Sequence, residues 1–312
     1  MARRVNNGTA VDWLVAKASF GLLGALRVLP LDLSVRGIIK IARWMGPKLK
    51  RHRLVVYNLR QAFPEKTAPE IEALALKTWE QLGRMLSEYI FFHKLYDFDP
   101  AHPHQGRVTL RDESGVIADL KARPRAHIFV TAHTGNFELL PHVATAMGVP
   151  IAVLYRPPNN PYIAEEINRF RGGSTDWLIP SFGGASAALA RHLSEGRGLG
   201  ILVDQKFRKG VESSFFGRPV KTNPLVPRLA RQFDCDVIPA RCIRLEGNRF
   251  EIEVLPPLAL PRDEAGLIDP DRAVQVLNDQ VEAWVREFPE QWLWYHDRWH
   301  QKGVIDLPDE QD

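Results

Sequence analysis

Apolar positions change their rhythm along this chain, and the change divides it. Between residues 11 and 45 they recur at helical spacing: Trp13, Leu14, Phe20, Leu22, Leu23, Leu26 and Val28, then Ile38, Ile39, Ile41 and Trp44. Pro30 breaks the first of these predicted helices from the second. Residues 66–95 predict one or two more helices. They start at Ala68-Pro69-Glu70 and carry the apolar set Ile71, Leu74, Leu76, Trp79, Leu82, Met85, Leu86 and Tyr89 at mixed three and four spacing. A loop bounded by Pro100 and Pro103 follows; its His102 and His104 would need further ligands to hold a metal.

From about residue 107 short apolar runs alternate with amphipathic stretches. The runs predict strands over Ala126–Ala132, Pro150–Tyr155, Trp177–Pro180, Gly198–Val203, Val237–Leu245 and Phe250–Leu255. Helices are predicted over Phe137–Met147, Ile163–Arg171, Ala185–Glu195, Pro224–Gln232 and Asp271–Phe288. Alternation of this kind predicts an α/β fold: a mostly parallel central sheet flanked by helices, with an N-terminal helical extension. We divide the chain into a basic amphipathic segment, residues 1–60, and an α/β domain, residues 61–312.

Charge sharpens that division. Residues 1–60 hold twelve Lys and Arg against Asp12 and Asp32, a surplus of ten; the whole chain nets +4, so the remainder carries −6. The longest uncharged run near the N-terminus, Ala18 to Leu26, is nine residues, whereas a spanning helix needs about twenty. Lys17 and Arg27 flank that run, the arrangement of a helix lying in a membrane interface. A membrane surface is therefore the expected partner. Nucleic acid is not, because the cations sit among apolar anchors and outside any recognised binding module. No small-residue cleavage site follows, so the segment does not read as a cleaved signal peptide. Cys235 and Cys242, seven apart around a predicted strand, point to opposite faces and are expected to be small buried residues, not a disulfide.

The candidate chemistry begins at Thr131-Ala132-His133-Thr134-Gly135-Asn136-Phe137-Glu138. A strand delivers His133 to the carboxyl-end rim of a parallel sheet, where ligands bind. A histidine that takes a proton from an alcohol needs a carboxylate to fix its tautomer and balance the imidazolium. Glu138 is the expected partner, in the first turn of the next helix; Gly135 permits the turn and Asn136 is the expected N-cap. Arg156 ends the next strand, and its fork suits phosphate or carboxylate. Asp204 and Gln205 end a third, placed to orient a polar head group or to support the site, and Lys206, Arg208 and Lys209 would suit an anion. Gly183-Gly184 before a helix is a weak phosphate-cradle signal. The segment Ser213–Pro219 reads as an apolar turn. Trp292, Trp294 and Trp299 read as an interfacial tail, as packing against the sheet, or as both at once. No dinucleotide fingerprint, phosphate-loop lysine, serine elbow, Cys-x-x-Cys pair or zinc-peptidase helix is present, which argues against those chemistries.

These residues match a family. His133 and Glu138 resemble the H-x4-E signature of the bacterial lipid A late acyltransferases, within the lysophospholipid acyltransferase group and its glycerolipid-acyltransferase-like fold. Further similar blocks follow in order: Tyr155–Pro161, Gly198–Gln205, Phe215–Thr222 and Pro289–Trp299. The likeness spans roughly residues 40–300. It implies acyl transfer from an acyl-carrier-protein thioester to a hydroxyl of a lipid A precursor, in lipopolysaccharide biosynthesis, at the cytoplasmic face of the bacterial inner membrane. It implies His133 as general base, Glu138 as its partner, and Arg156, Asn136, Asp204 and Gln205 as substrate-binding residues. It implies no metal and no separate cofactor, since the phosphopantetheine arrives on the carrier protein. Acylation of another glycolipid or glycerophospholipid, and a non-enzymatic membrane adaptor, are the competing expectations.

Overall fold

The structure, a computed structural model, describes residues 9–299 except residue 29, residues 158–159, residues 171–177 and residue 182. Arg3, Arg4, Pro158, Asn159, Arg171, Trp177 and His300 therefore lie outside the described residues.

Helices come first: α1 (Ala10–Val28), α2 (Leu31–Met45), α3 (Arg51–Ala62), α4 (Ala68–Ile90) and the single turn α5 (Phe92–Leu95). The α/β part continues with β1 (Val108–Arg111), α6 (Val116–Ala122), β2 (His127–Thr131), α7 (Leu139–Ala146), β3 (Ile151–Tyr155), α8 (Pro161–Phe170) and β4 (Leu178–Pro180). Next are α9 (Ala185–Ser194), β5 (Gly198–Leu202), β6 (Val211–Phe215), β7 (Arg218–Thr222), α10 (Leu225–Phe233), β8 (Asp236–Leu245), β9 (Arg249–Val254) and α11 (Pro270–Glu287).

The larger sheet has seven strands in the order β1-β9-β8-β2-β5-β3-β4. Strands β8, β2, β5, β3 and β4 are parallel; β9 returns antiparallel to β8, and β1 lies parallel to β9. The mostly parallel sheet read from the sequence is the one observed. Its central strand β2 is buried at every position, as the unbroken run Ile128-Phe129-Val130 requires of a strand covered on both faces.

Core residues fall into three groups. One lies between the sheet and α7, with Phe129, Val143, Ile151 and Ile252. A second fills the opposite face beneath α9, α10 and α11, with Ile128, Leu199, Leu229 and Leu277. The third joins α3, α4 and α11 to the C-terminal segment through Val55, Leu59, Trp79, Trp284 and Trp294. Trp292, Trp294 and Trp299 are thus core residues, and Arg298 between them is buried on Lys221, Thr222 and Asn278. Of the two readings of this segment, packing is the one observed for the described residues.

Several elements departed from their signals. The apolar turn expected at Ser213–Pro219 is the tip of the antiparallel hairpin β6–β7, turning at Phe216 and Gly217, both at positive φ. That backbone is the one a two-residue hairpin loop demands, but its usual Asn-Gly signature is missing. Strand β1 and helices α3 and α6 were not predicted; β1 has only four residues and α6 only seven, too few for a periodic pattern to register. Helix α7 starts at Leu139, so Asn136 is not its N-cap: the Asn136 carbonyl accepts from the Leu139 N–H inside the preceding turn.

No helix among the described residues is long and apolar enough to cross a membrane. Helices α1 and α2 nevertheless expose Trp13, Leu14, Leu33, Ile41, Trp44 and Met45. The Lys48 ammonium stands over the Trp44 ring at 3.3 Å and that of Lys17 near Trp13 at 5.8 Å.

Candidate active site

Three parallel strands end side by side and deliver the site. Thr131 of β2 pairs with Leu202 of β5, so His133 and Asp204 emerge together, two residues beyond each strand. Tyr155 ends the neighbouring β3, and Arg156 follows it. The backbone then turns sharply at Gly135, which has φ +55°, and a Cβ there would fall 1.9 Å from the Cys242 carbonyl oxygen. Only glycine fits. The Gly135 N–H donates to the Gln291 carbonyl at 3.2 Å, and the Gln291 side chain is itself locked to the Arg244 backbone, so the C-terminal segment clamps the turn.

His133 is held from two sides. Its Nδ1 lies 2.8 Å from Asp204 Oδ1, and its backbone N–H donates to Asp204 Oδ2 at 2.9 Å. The indole N–H of Trp292 donates to the same Oδ2 at 2.8 Å. The Asp204 side chain is 2% exposed, so these donors replace its water. Burial pushes its pKa up, but the His133 charge and these hydrogen bonds outweigh burial and hold it at about 2. An ionised Asp204 requires the proton on Nδ1, which leaves the Nε2 lone pair open. The side-chain amide of Gln205 sits 3.2 Å from Nε2 and donates to it.

Glu138 occupies a different place from the one expected. The contact that fixes the imidazole tautomer comes from Asp204. Glu138 is buried and accepts from the Tyr89 hydroxyl of α4 at 2.8 Å, and it reaches His133 through its charge. Burial lowers the His133 pKa; attraction to Asp204, the hydrogen bond between them and the Glu138 charge outweigh it, and the net direction is up.

Beneath His133 a cavity of about 510 Å³ opens between α7 and the sheet. His133, Glu138, Arg156 and Gln205 border it together with many apolar side chains, among them Phe129, Val143, Met147, Ile151 and Val153. A large apolar cavity with a few polar groups converging on it is the usual form of a ligand site. Arg156 is exposed at this border, whereas Asn136 is buried in the turn. Lys206 is half-buried near Asp297, at 4.0 Å, while Arg208 and Lys209 face solvent. Gly184 precedes α9 at positive φ and lies outside this group.

Comparison with known proteins bears on this site. The model of the bacterial lipid A biosynthesis acyltransferase family matches residues 4–301. The chain belongs to that family. A lipid A biosynthesis acyltransferase of Haemophilus influenzae is 23% identical over 310 residues, covering 90% of this chain and 86% of that protein. Membership makes this protein an acyltransferase of lipid A biosynthesis.

Two contributors escaped the sequence reading. Trp292 belongs to the C-terminal tryptophan block, but nothing in that block points to Asp204, 88 residues earlier. Tyr89 sits on a helix whose apolar rhythm reads as plain packing. A buried tryptophan N–H and a buried tyrosine hydroxyl each need an acceptor, and that need was the available signal. Among the described residues no cluster of His, Cys, Asp and Glu could hold a metal ion. Both cysteines are free and buried, and burial pushes each thiol up to about 12.

Proposed function

We propose that this protein moves a fatty acyl chain from an acyl-carrier-protein thioester to a hydroxyl of a lipid A precursor. The observation that carries the proposal is the pairing of His133 with ionised Asp204 at the edge of an apolar cavity. The acyl chain lies in the cavity and its thioester carbonyl rests near His133. The acceptor hydroxyl displaces the Gln205 amide from Nε2, and His133 takes its proton as the oxygen attacks the carbonyl carbon. A C–O bond forms and an oxyanion develops. Arg156, and the Gln205 amide once freed, supply positive or donor character at that rim. As the C–S bond breaks, the imidazolium returns its proton to the departing sulfur. The products are an ester and a free phosphopantetheine thiol. Asp204 fixes the tautomer and stabilises the imidazolium, and Glu138, held by Tyr89, adds a second negative charge.

Residues 1–60 act in this reading as the membrane-associating segment, at the cytoplasmic face of the inner membrane. The exposed tryptophans and leucines of α1 and α2, with cations beside the rings, suit an interface in which rings sit at head-group level. Basic side chains there and at Arg208 and Lys209 suit two acidic partners, the carrier protein and the anionic glycolipid. The test is acyl transfer by the purified protein from carrier-protein and coenzyme A thioesters to a lipid A precursor, read by product mass. A product one acyl chain heavier, formed faster from the carrier-protein donor, is expected. Transfer only to glycerophospholipid would move the protein to a different substrate.

A further inference from the structure

We propose that Gly200 sets how long an acyl chain the cavity accepts; the inference rests on the acyl-transfer reading above. The cavity lies against one face of the sheet. At one level of that face Gly200 of β5 pairs with Phe129 of β2 on one side and Val153 of β3 on the other. Phe129 and Val153 project side chains into the layer beneath α7, and Gly200 projects none, so a trough runs between them.

The trough has a floor. A Cβ at Gly200 would fall 2.8 Å from Ile151 Cδ1 and 3.5 Å from Val153 Cγ2. One layer lower, the corresponding space at Gly198 is filled by the His127 ring, whose Nε2 would be 2.2 Å from a Cβ there. Ile151, which lines the cavity, therefore closes it below Gly200, and the His127 ring fills the layer beneath. His133 lies four residues beyond Phe129, so the level of Gly200 is about 13 Å below it along the strand at the usual rise per residue.

Both glycines make room for a neighbouring side chain, but only Gly200, with the Ile151 tip beside it, borders the cavity; Gly198 is covered by the His127 ring. A methyl group at Gly200 would either occupy the end of the trough or push Ile151 into it, and both shorten it. Gly200 lacks the positive φ that bars other residues, so alanine suits its backbone. Trimming the floor residue, Ile151→Val, removes the Cδ1 that closes the trough and lengthens it.

The experiment uses the full chain as wild type, Gly200→Ala, Ile151→Val and the double variant. Saturated fatty acids from about eight to about sixteen carbons displace a fluorescent fatty acid, with affinity expected to rise about fourfold per buried methylene until the chain meets the floor. In Gly200→Ala that plateau comes about one to two methylenes earlier, in Ile151→Val about one later, and in the double variant near the wild-type length. Transfer from carrier-protein thioesters of the same lengths shifts in parallel. A plateau at the same length in all four proteins overturns the proposal. The binding arm needs no turnover, so shifted plateaus without transfer from any thioester would uphold the role of Gly200 and defeat the catalytic reading alone.

Discussion

Replacing Asp204 by asparagine removes one charge and one acceptor from a site where three donors converge. The His133 ring N–H, the His133 backbone N–H and the Trp292 indole N–H all reach this carboxylate, the last two on the same oxygen. An amide has a single oxygen. If that oxygen faces the backbone and the indole, the amide nitrogen faces Nδ1, which must then accept; the proton moves to Nε2 and the base is lost. If the amide is reversed, the tautomer survives but two buried donors face an NH2 group, at roughly 1–3 kcal/mol each. The unproductive arrangement is therefore favoured by about 2–6 kcal/mol, and the productive one is populated at about one part in thirty to one part in 10⁴. Asp204→Asn should lower kcat by that range with little change in KM, read as thiol release from an acyl-carrier-protein donor. Far-ultraviolet circular dichroism and Tm should show a folded protein. A folded Asp204→Asn within about threefold of wild type would refute the assignment of Asp204 as the partner of the base.

Other outcomes follow from the same geometry. The raised pKa of His133 places the acidic limb of the kcat/KM profile above 6.5, with activity rising as the ring loses its proton; Glu138→Gln removes a charge that raises that pKa, so the limb should move to lower pH. An unmoved limb would separate Glu138 from the base. In stability the sign for His133 is opposite: a raised pKa contributes below 6.5 and the contribution fades as pH rises through the folded value. Asp204, held at about 2 against an ordinary 3.8, contributes above 3.8 and loses that contribution as pH falls through about 2, which acid titration of Tm would follow. Glu88→Ala should cost about 3–5 kcal/mol in denaturant unfolding, because it strands the buried Arg244 that Glu88 grips through both oxygens. A loss under about 1 kcal/mol would mean that water reaches Arg244.

The sequence carried the sheet well, because β2 and β5 are buried almost throughout and read as short apolar runs, and β8 keeps enough apolar positions around its buried Arg241 and Arg244 to read as a strand. It carried the rim as well: His133, Arg156 and Asp204 stand directly after strands, and strand ends are legible. Pairing across the rim was not. Glu138 is nearest in sequence, whereas Asp204 is nearest in space because β2 and β5 are neighbours in register, a fact of topology that no local pattern encodes. The tryptophan block shows the same gap. Its composition suits a membrane interface and a core equally, and only the contacts of Trp294 with Phe63 and Phe216 decide it. The cavity was invisible for a related reason: its lining comes from β2, β3, β5, β8, β9 and α7, which are far apart in sequence.

The central claim is that the His133 imidazole, held by Asp204, draws the proton from a lipid alcohol beside a bound thioester. Mass spectrometry of lipid A from cells lacking this protein, complemented with wild type or with His133→Ala at matched protein levels, tests it most directly. Wild type should restore a species heavier by one acyl chain, and His133→Ala should leave the spectrum of the deficient cells. Restoration of that species by His133→Ala would contradict the account.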